Sequence, residues 1–512
     1  MAAGSPHGAC DRELPGAQAL AAPTARRRSR RVVHNGRMPV DLELCYLPAT
    51  EQLARFRDGS LSPVEVLEAQ LDRAASVEPV VNAFTDVFAD EARREARRAE
   101  EVYRARPGDA RPLEGLTVAV KDEMPVAGQR CTEGSLIHEH TVADTTHPIA
   151  ERLLAAGAIF HARTATPEFC CAWTTTSRLH GTTVTPWNSA YTSSGSSGGS
   201  GAALASGTAT LATGSDIGGS IRGPAAACGV VGFKPPYGRN PDLAPFGLDQ
   251  YNHVGPMART VADCALLQNL MSGVSVRDMA SLREKVTIPS THDGIEGWRI
   301  AYTFDVGNRV VAAEVEEQTR IALEHLSAQG AMVEEVDLGW GPETVAAART
   351  YLDHLFGHAL LREVEMHPDL VCDYTRFFAE RARSSSGAAF FESFEVAGSM
   401  YGTIAPLLEM FDALVCPTFV THEMPAEIPP WETMWVRGIE VDADYECSLM
   451  PQFNMLNRLP VLAVPAGIGT NGLPVGVQIV SRSYDDVRVF RVAAALERAA
   501  PWLDRPSRRP PI

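Results

Sequence analysis

Residues 214–229, "GSDIGGSIRGPAAACG", set one hydroxyl, Ser220, directly after Gly218 and Gly219, then turn at Gly223-Pro224. Paired glycines admit backbone conformations that a side chain forbids, and they let a ligand approach successive N–H groups. Bare N–H donors beside a hydroxyl are what acyl transfer requires: a nucleophile and a cradle for the oxyanion. Taken alone, the stretch reads first as a glycine-rich turn whose serine merely caps a helix. The rest of the chain decides between the two.

Upstream, "GLTVAV" (115–120) is a short apolar, β-rich run that ends at Lys121, and it reads as a buried strand. "SPVEVLEAQLDRAASV" (62–77) carries helix signals: Ser62 as N-cap, Pro63 in the first turn and Glu65 completing a capping box. "EARREARRAEEVYRAR" (91–106) reads as a solvated charged helix, and "AERLLAAGAIFHART" (150–164) as helix, turn and strand. Such alternation predicts an α/β fold with a largely buried sheet. Residues 193–207, "SSGSSGGSGAALASG", are low in complexity but unlike a flexible linker, and their small residues suit close packing against a neighbouring backbone. From about 300 to 450 the pattern is mainly helical, and "LPVLAVPAG" and "LPVGVQIV" return to strand. A sheet completed by both ends of the chain argues for one interwoven domain.

The 512 residues are 45% hydrophobic and 21% charged, an ordinary globular balance, and the net charge of −17 argues against a nucleic-acid partner. No run of 18 apolar residues suggests a membrane span. Ten scattered cysteines form no C-x-x-C pair, which points to free thiols and a cytoplasmic setting. Residues 1–37 are Ala/Pro/Arg-rich, include "ARRRSRR", and read as a disordered extension, with Met38 as an alternative start.

The basic residues hold the most useful anomaly. Of 46, only Lys121, Lys234 and Lys285 are lysine. Where charge alone suffices, this chain uses arginine, so a retained lysine is a candidate for what guanidinium cannot do, namely give up its proton. Lys285, in the polar "SLREK", reads as chance retention, whereas Lys121 at a buried strand end reads as a base. "GSSGG" (195–199) formally matches a nucleophile elbow, but "PWNSAYTS" before it is no buried strand, so Ser197 is rejected as nucleophile.

In this order, "VAVKDE", "SGSSGGSGAALASG" and "GSDIGGSIRGPAAACGVVGFKPPYGR" resemble the amidase signature family of serine hydrolases, and the likeness extends over about residues 40–505. The resemblance implies an amidase signature fold: a large mixed β-sheet covered by helices on both faces, with 38–512 as a single amidase domain. It implies Lys121, Ser196 and Ser220 as the catalytic set, with a cis peptide bond before Ser196. Ile217, Gly218 and Gly219 fall at oxyanion positions, Cys170 at the pocket wall, and Ser197, Asp216 and Arg222 at supporting positions. Two departures stand out: Ser194-Gly195 where the family usually has Gly-Gly, and Arg163 in "HARTAT" where it often has lysine.

The implied reaction is amide hydrolysis through a Ser220 acyl-enzyme, with Ser196 relaying a proton to Lys121 and with no metal or organic cofactor. The expected partner is a small amide, apolar, aryl or cyclic; a homodimer is compatible with the reading, and no membrane partner is expected. The aromatics Phe377, Phe378, Phe390, Phe391, Trp431 and Trp435 are candidates for an apolar acyl pocket. Two alternatives stand beside this reading: the glutamine-hydrolysing subunit of a tRNA-dependent amidotransferase, and an inactive scaffold of the same family.

Overall fold

The computed structural model describes residues 40–307 and 310–512. The expected extension over 1–37 and the alternative start at Met38 lie outside the described residues. An 11-stranded mixed sheet organises the chain. From edge to edge its strands are Phe84–Val87, Ile159–Thr164, Thr117–Lys121, Leu211–Ser215, Val254–Ala258, Val231–Lys234, Val461–Ile468, Pro474–Val480, Ala413–Pro417, Arg299–Tyr302 and Met332–Glu335. The two late strands insert between Val231–Lys234 and Ala413–Pro417, so the end of the chain completes the middle of the sheet.

Thr117–Lys121 pairs parallel to a neighbour on each side, and all five of its residues are buried. Covered on both faces, such a strand reads as a continuous apolar run, and Lys121 sits at its carboxyl end, where open α/β sheets hold their ligands. Alternation then sorts the strands between two layers. Ala119, Ala212, Met257 and Ala463 pack with the helices Pro63–Val81, Gly198–Ser206 and Arg222–Cys228. Val118, Val120, Leu211 and Phe233 pack with Val261–Met271 and Asp486–Ala499, Phe233 meeting Phe490 edge-on at 4.9 Å. The sheet is mixed and helices cover both faces, as the α/β reading requires.

The capping box forms: the Ser62 hydroxyl accepts from Val64 N–H at 3.1 Å, and Ser62 N–H donates to Glu65 at 2.8 Å. The helix outruns the predicted 62–77 and ends at Val81, which is still fully buried, with Asn82 in left-handed backbone closing it. The middle region is helical over Pro342–Met366, Asp373–Arg383 and Gly387–Met410, followed by a strand and a short hairpin.

Small residues in Gly198–Ser206 follow from how closely this helix approaches other backbone. A Cβ on Gly199 would lie 2.4 Å from the Ala165 nitrogen and 2.5 Å from the Ala83 oxygen. Neither neighbour is a flexible side chain, so the helix itself would have to move. Gly199→Ala is therefore expected to destabilise the protein by about 1–3 kcal/mol or more, the range of core overpacking. A thermal midpoint equal to that of the parent would contradict this packing.

Candidate active site

The loop between the strand Leu211–Ser215 and the helix Arg222–Cys228 is held from inside by one carboxylate. Asp216, fully buried, receives Arg222 in a two-point pair, Nη2 to Oδ1 at 2.9 Å and Nε to Oδ2 at 3.0 Å. It also accepts the N–H groups of Gly219 at 2.8 Å and Ile221 at 3.2 Å, and the Asn454 amide at 2.9 Å. Burial alone would raise its pKa; the Arg222 guanidinium and these hydrogen bonds outweigh burial and hold the carboxyl well below the usual range. Arg222 spends its remaining donors on the Met450 carbonyl, Gln478 and Asn454.

This clamp shapes the turn that carries Ser220. Gly219 adopts φ +125°, and a Cβ there would meet the Met450 side chain at 2.9 Å. Its N–H is taken by Asp216, which corrects the expectation that Gly219 supplies a free oxyanion donor. Among the described residues, the N–H groups of Ile217, Gly218 and Ser220 have no protein acceptor. Those three remain available to an incoming oxygen.

Lys121 is fully buried, with Nζ 2.7 Å from Ser196 Oγ and 2.7 Å from Ser215 Oγ. A carboxylate oxygen of Glu123 lies 3.2 Å away. The Gly195–Ser196 peptide is cis. Ser194 stands in left-handed backbone at φ +62°. The Ser197 hydroxyl is engaged with both backbone groups of Ser215 at 3.3 Å, which ties the two serine loops together. Ser220 is 7% exposed, and among the described residues its hydroxyl makes no protein hydrogen bond. The Lys121–Ser196 contact is thus formed and the Ser196–Ser220 contact is open.

Of the other lysines, Lys234 is also fully buried, donating to the Leu459 carbonyl at 3.0 Å, and Lys285 is exposed. Arg163 is buried with one nitrogen on the Met124 carbonyl at 2.6 Å. The nine described cysteines are all free.

Beside Ser196, Ser215 and Ile217 opens a cavity of about 310 Å³. Phe169, Phe246, Phe356, Leu243 and Pro245 give it apolar wall, and Glu123, Glu133, Asp242 and Cys170 give it polar wall. Cys170 donates its thiol to Glu123 at 2.7 Å; burial and then that carboxylate push the thiol well above its ordinary pKa, so it stays protonated. The aromatics expected from the sequence are elsewhere. Phe377 and Phe378 stack under Arg381, Phe390 packs on Tyr351 and His354, and Phe391, Trp431 and Trp435 are 63%, 47% and 69% exposed. Helix packing takes Phe378 and Phe390, and the pocket rings come from other segments: Phe246 and Phe356 meet edge-on at 5.4 Å. Sequence reasoning also missed Ser215, Glu123, Asn454 and Gln478. Among the described residues, no cluster of three or more His, Cys, Asp or Glu side chains is arranged to hold a metal ion, and no helix is long and apolar enough to cross a membrane.

The sheet, its two helical layers and the serine loops define a member of the amidase family, to which the chain belongs: the family model "Amidase" matches residues 65–490. It is an amide-hydrolysing enzyme. The chain is similar to an acylamidase of Rhodococcus erythropolis, 32% identical over 468 residues that cover 90% of this chain and 97% of the relative. It is also similar to a glutamyl-tRNA(Gln) amidotransferase subunit of Thermosynechococcus vestitus, 33% identical over 474 residues covering 86% and 95%. Among solved structures, a bacterial aryl acylamidase superposes with a TM-score of 0.81 at 26% identity, covering 89% and 97% of the chains. A 6-aminohexanoate cyclic dimer hydrolase superposes at 0.78 with 28% identity, covering 91% and 99%.

Breaking the buried clamp should be costly, because the partner is left as an uncompensated charge. Asp216→Asn is expected to lower stability by about 3–5 kcal/mol, seen as an earlier denaturant midpoint. Glu51→Gln, which breaks an exposed pair with Arg55, should cost below about 1 kcal/mol. Equal losses from the two substitutions would contradict the assigned role of the clamp.

Proposed function

We propose that residues 38–512 act as one amidase domain that hydrolyses small carboxylic amides through an acyl-enzyme on Ser220. The observation that carries the reading is the 2.7 Å contact of Lys121 Nζ with Ser196 Oγ, next to a loop offering three unengaged N–H groups. Ser220 Oγ attacks the amide carbonyl and passes its proton to Ser196, whose own proton goes to Nζ of Lys121. The oxyanion is met by the N–H groups of Ile217, Gly218 and Ser220. Return of the proton through Ser196 to the amide nitrogen breaks the C–N bond and frees the amine. Water then attacks the acyl-serine, deprotonated by the same relay, and releases the carboxylate. Glu123, 3.2 Å from Nζ, balances the charge while Lys121 holds the proton.

The substrate class follows from the cavity wall. Its rings and aliphatic side chains suit an apolar or aryl amide, and among the described residues no arginine or lysine lines it. A substrate carboxylate would be buried there without a partner, at a cost of several kcal/mol. This favours acylamidase-type substrates over glutamine, the substrate that the amidotransferase reading requires. The intact Lys121–Ser196 contact supports an active enzyme over a scaffold.

Lys121→Arg and Lys121→Ala are expected to be equally damaging, each reducing kcat on the order of 10³-fold or more, because arginine keeps the charge but cannot accept the proton. Substantial activity in the arginine variant would overturn the proton-relay assignment. Across an amide panel read by mass spectrometry, short apolar or aryl amides should exceed glutamine in kcat/KM by at least about tenfold, equivalent to roughly 1.4 kcal/mol. Efficient hydrolysis of free glutamine by the isolated chain would favour the amidotransferase reading instead.

A further inference from the structure

Three carboxylates line the cavity beside Ser196, and two of them are spoken for. Glu123 faces Lys121 at 3.2 Å and accepts the Cys170 thiol at 2.7 Å. Asp242 is paired with His147 at 2.9 Å and accepts the Asn252 amide at 2.7 Å. The third, Glu133, has no hydrogen-bond or ion-pair partner for its carboxylate among the described residues.

Its backbone is nonetheless firmly placed. Glu133 N–H donates to the Asp122 carbonyl at 2.9 Å, and its own carbonyl accepts from Phe169 N–H at 2.7 Å. The residue stands in left-handed backbone at φ +50°, a conformation that a glutamate adopts only when its surroundings impose it. Burial, and then the negative charges of Glu123, Asp122 and Glu363, raise its pKa to about 7, and the opposing pull of Lys121 is too weak to reverse them. Lys121 cannot serve as its counter-ion, being engaged with Ser196, Ser215 and Glu123. The cavity therefore has an apolar wall and a carboxylate-lined end, and among the described residues no lysine or arginine lines it.

We propose that this cavity selects amides that also carry a protonated amino group, held across a hydrocarbon or aryl spacer, with Glu133 as the counter-charge. The inference rests on the amidase reading above and narrows its substrate class. An ammonium group placed at Glu133 pairs a half-buried carboxylate that has no other partner among the described residues, while the spacer lies against Phe169, Phe246 and Phe356. A neutral isostere gains only the second of these contacts.

The test compares matched pairs on the full chain: 4-(aminomethyl)benzamide against 4-ethylbenzamide, and N-(4-aminobutyl)benzamide against N-pentylbenzamide. In at least one pair the amine should exceed its neutral partner in kcat/KM by tenfold or more, and Glu133→Gln should bring that ratio to within about twofold of unity. The ratio is read within each variant, so a general loss of activity does not mimic the effect. Hydrolysis of both members without preference, or a preference that survives in Glu133→Gln, would overturn the proposal and leave the amidase reading standing. Calorimetry with 4-phenylbutylamine and 4-phenylbutanol reads the same selectivity without turnover. If no amide is cleaved, the amidase reading fails, and a tenfold tighter binding of the amine would still support the cation site. Equal binding of amine and alcohol by the parent protein would overturn the cation site whether or not the variant folds; Glu133→Ala serves where Glu133→Gln does not fold.

Discussion

The buried pair between Asp216 and Arg222 is the constraint on which the candidate site depends. Two charges withdrawn from water are tolerated only when every remaining donor and acceptor is met. Here the guanidinium reaches the Met450 carbonyl, Gln478 and Asn454, and the carboxylate gathers three groups from its own turn and one from Asn454. Such a network adds little to stability compared with a well-packed apolar core, but it admits one arrangement of the chain. It fixes the path from residue 216 to 222, leaving Ser220 near the surface of the turn and its neighbouring N–H groups without acceptors.

The second loop is positioned by contact with the first. Ser197 bridges to the backbone of Ser215, and Lys121 reaches Ser196 and Ser215 together, so the strand end and both loops meet at one side-chain nitrogen. Small residues make this convergence possible. Gly199 and Gly201 bring their helix to within backbone contact of its neighbours, Gly198 comes as close to the Thr175 and Ser193 side chains, and larger side chains there would displace the helix that follows Ser196.

What the sequence made legible was what lies contiguous in it. The Ser220 turn, the buried strand before Lys121 and the capping box at Ser62 are each written in adjacent residues; the strand and the capping box take the expected form, and the turn departs from it at Gly219, whose N–H is held by Asp216. Lys121 could be singled out because arginine had replaced lysine almost everywhere else. Asn454 and Gln478 could not, since they join the clamp from helix and strand segments more than two hundred residues downstream, and nothing local marks them. The pocket aromatics were misassigned for a related reason. A cluster of rings along the chain records hydrophobicity, and three of the clustered residues spend it on Arg381 and on other helices, while Phe169, Phe246 and Phe356 converge only in three dimensions. Glu123 and Glu133 follow the lysine motif and look like ordinary solvated acids until the fold turns them toward the cavity.

The proposed mechanism turns on one hydroxyl, that of Ser220, and covalent labelling addresses it directly. The chain is treated with a fluorophosphonate, digested, and the modified peptide mapped by mass spectrometry. The phosphonyl group is expected on Ser220 in the peptide containing "IGGSIR", with Ser196→Ala slowing labelling severely without moving it. An adduct on Ser196 or Ser197 would place the nucleophile in the other loop and contradict the mechanism.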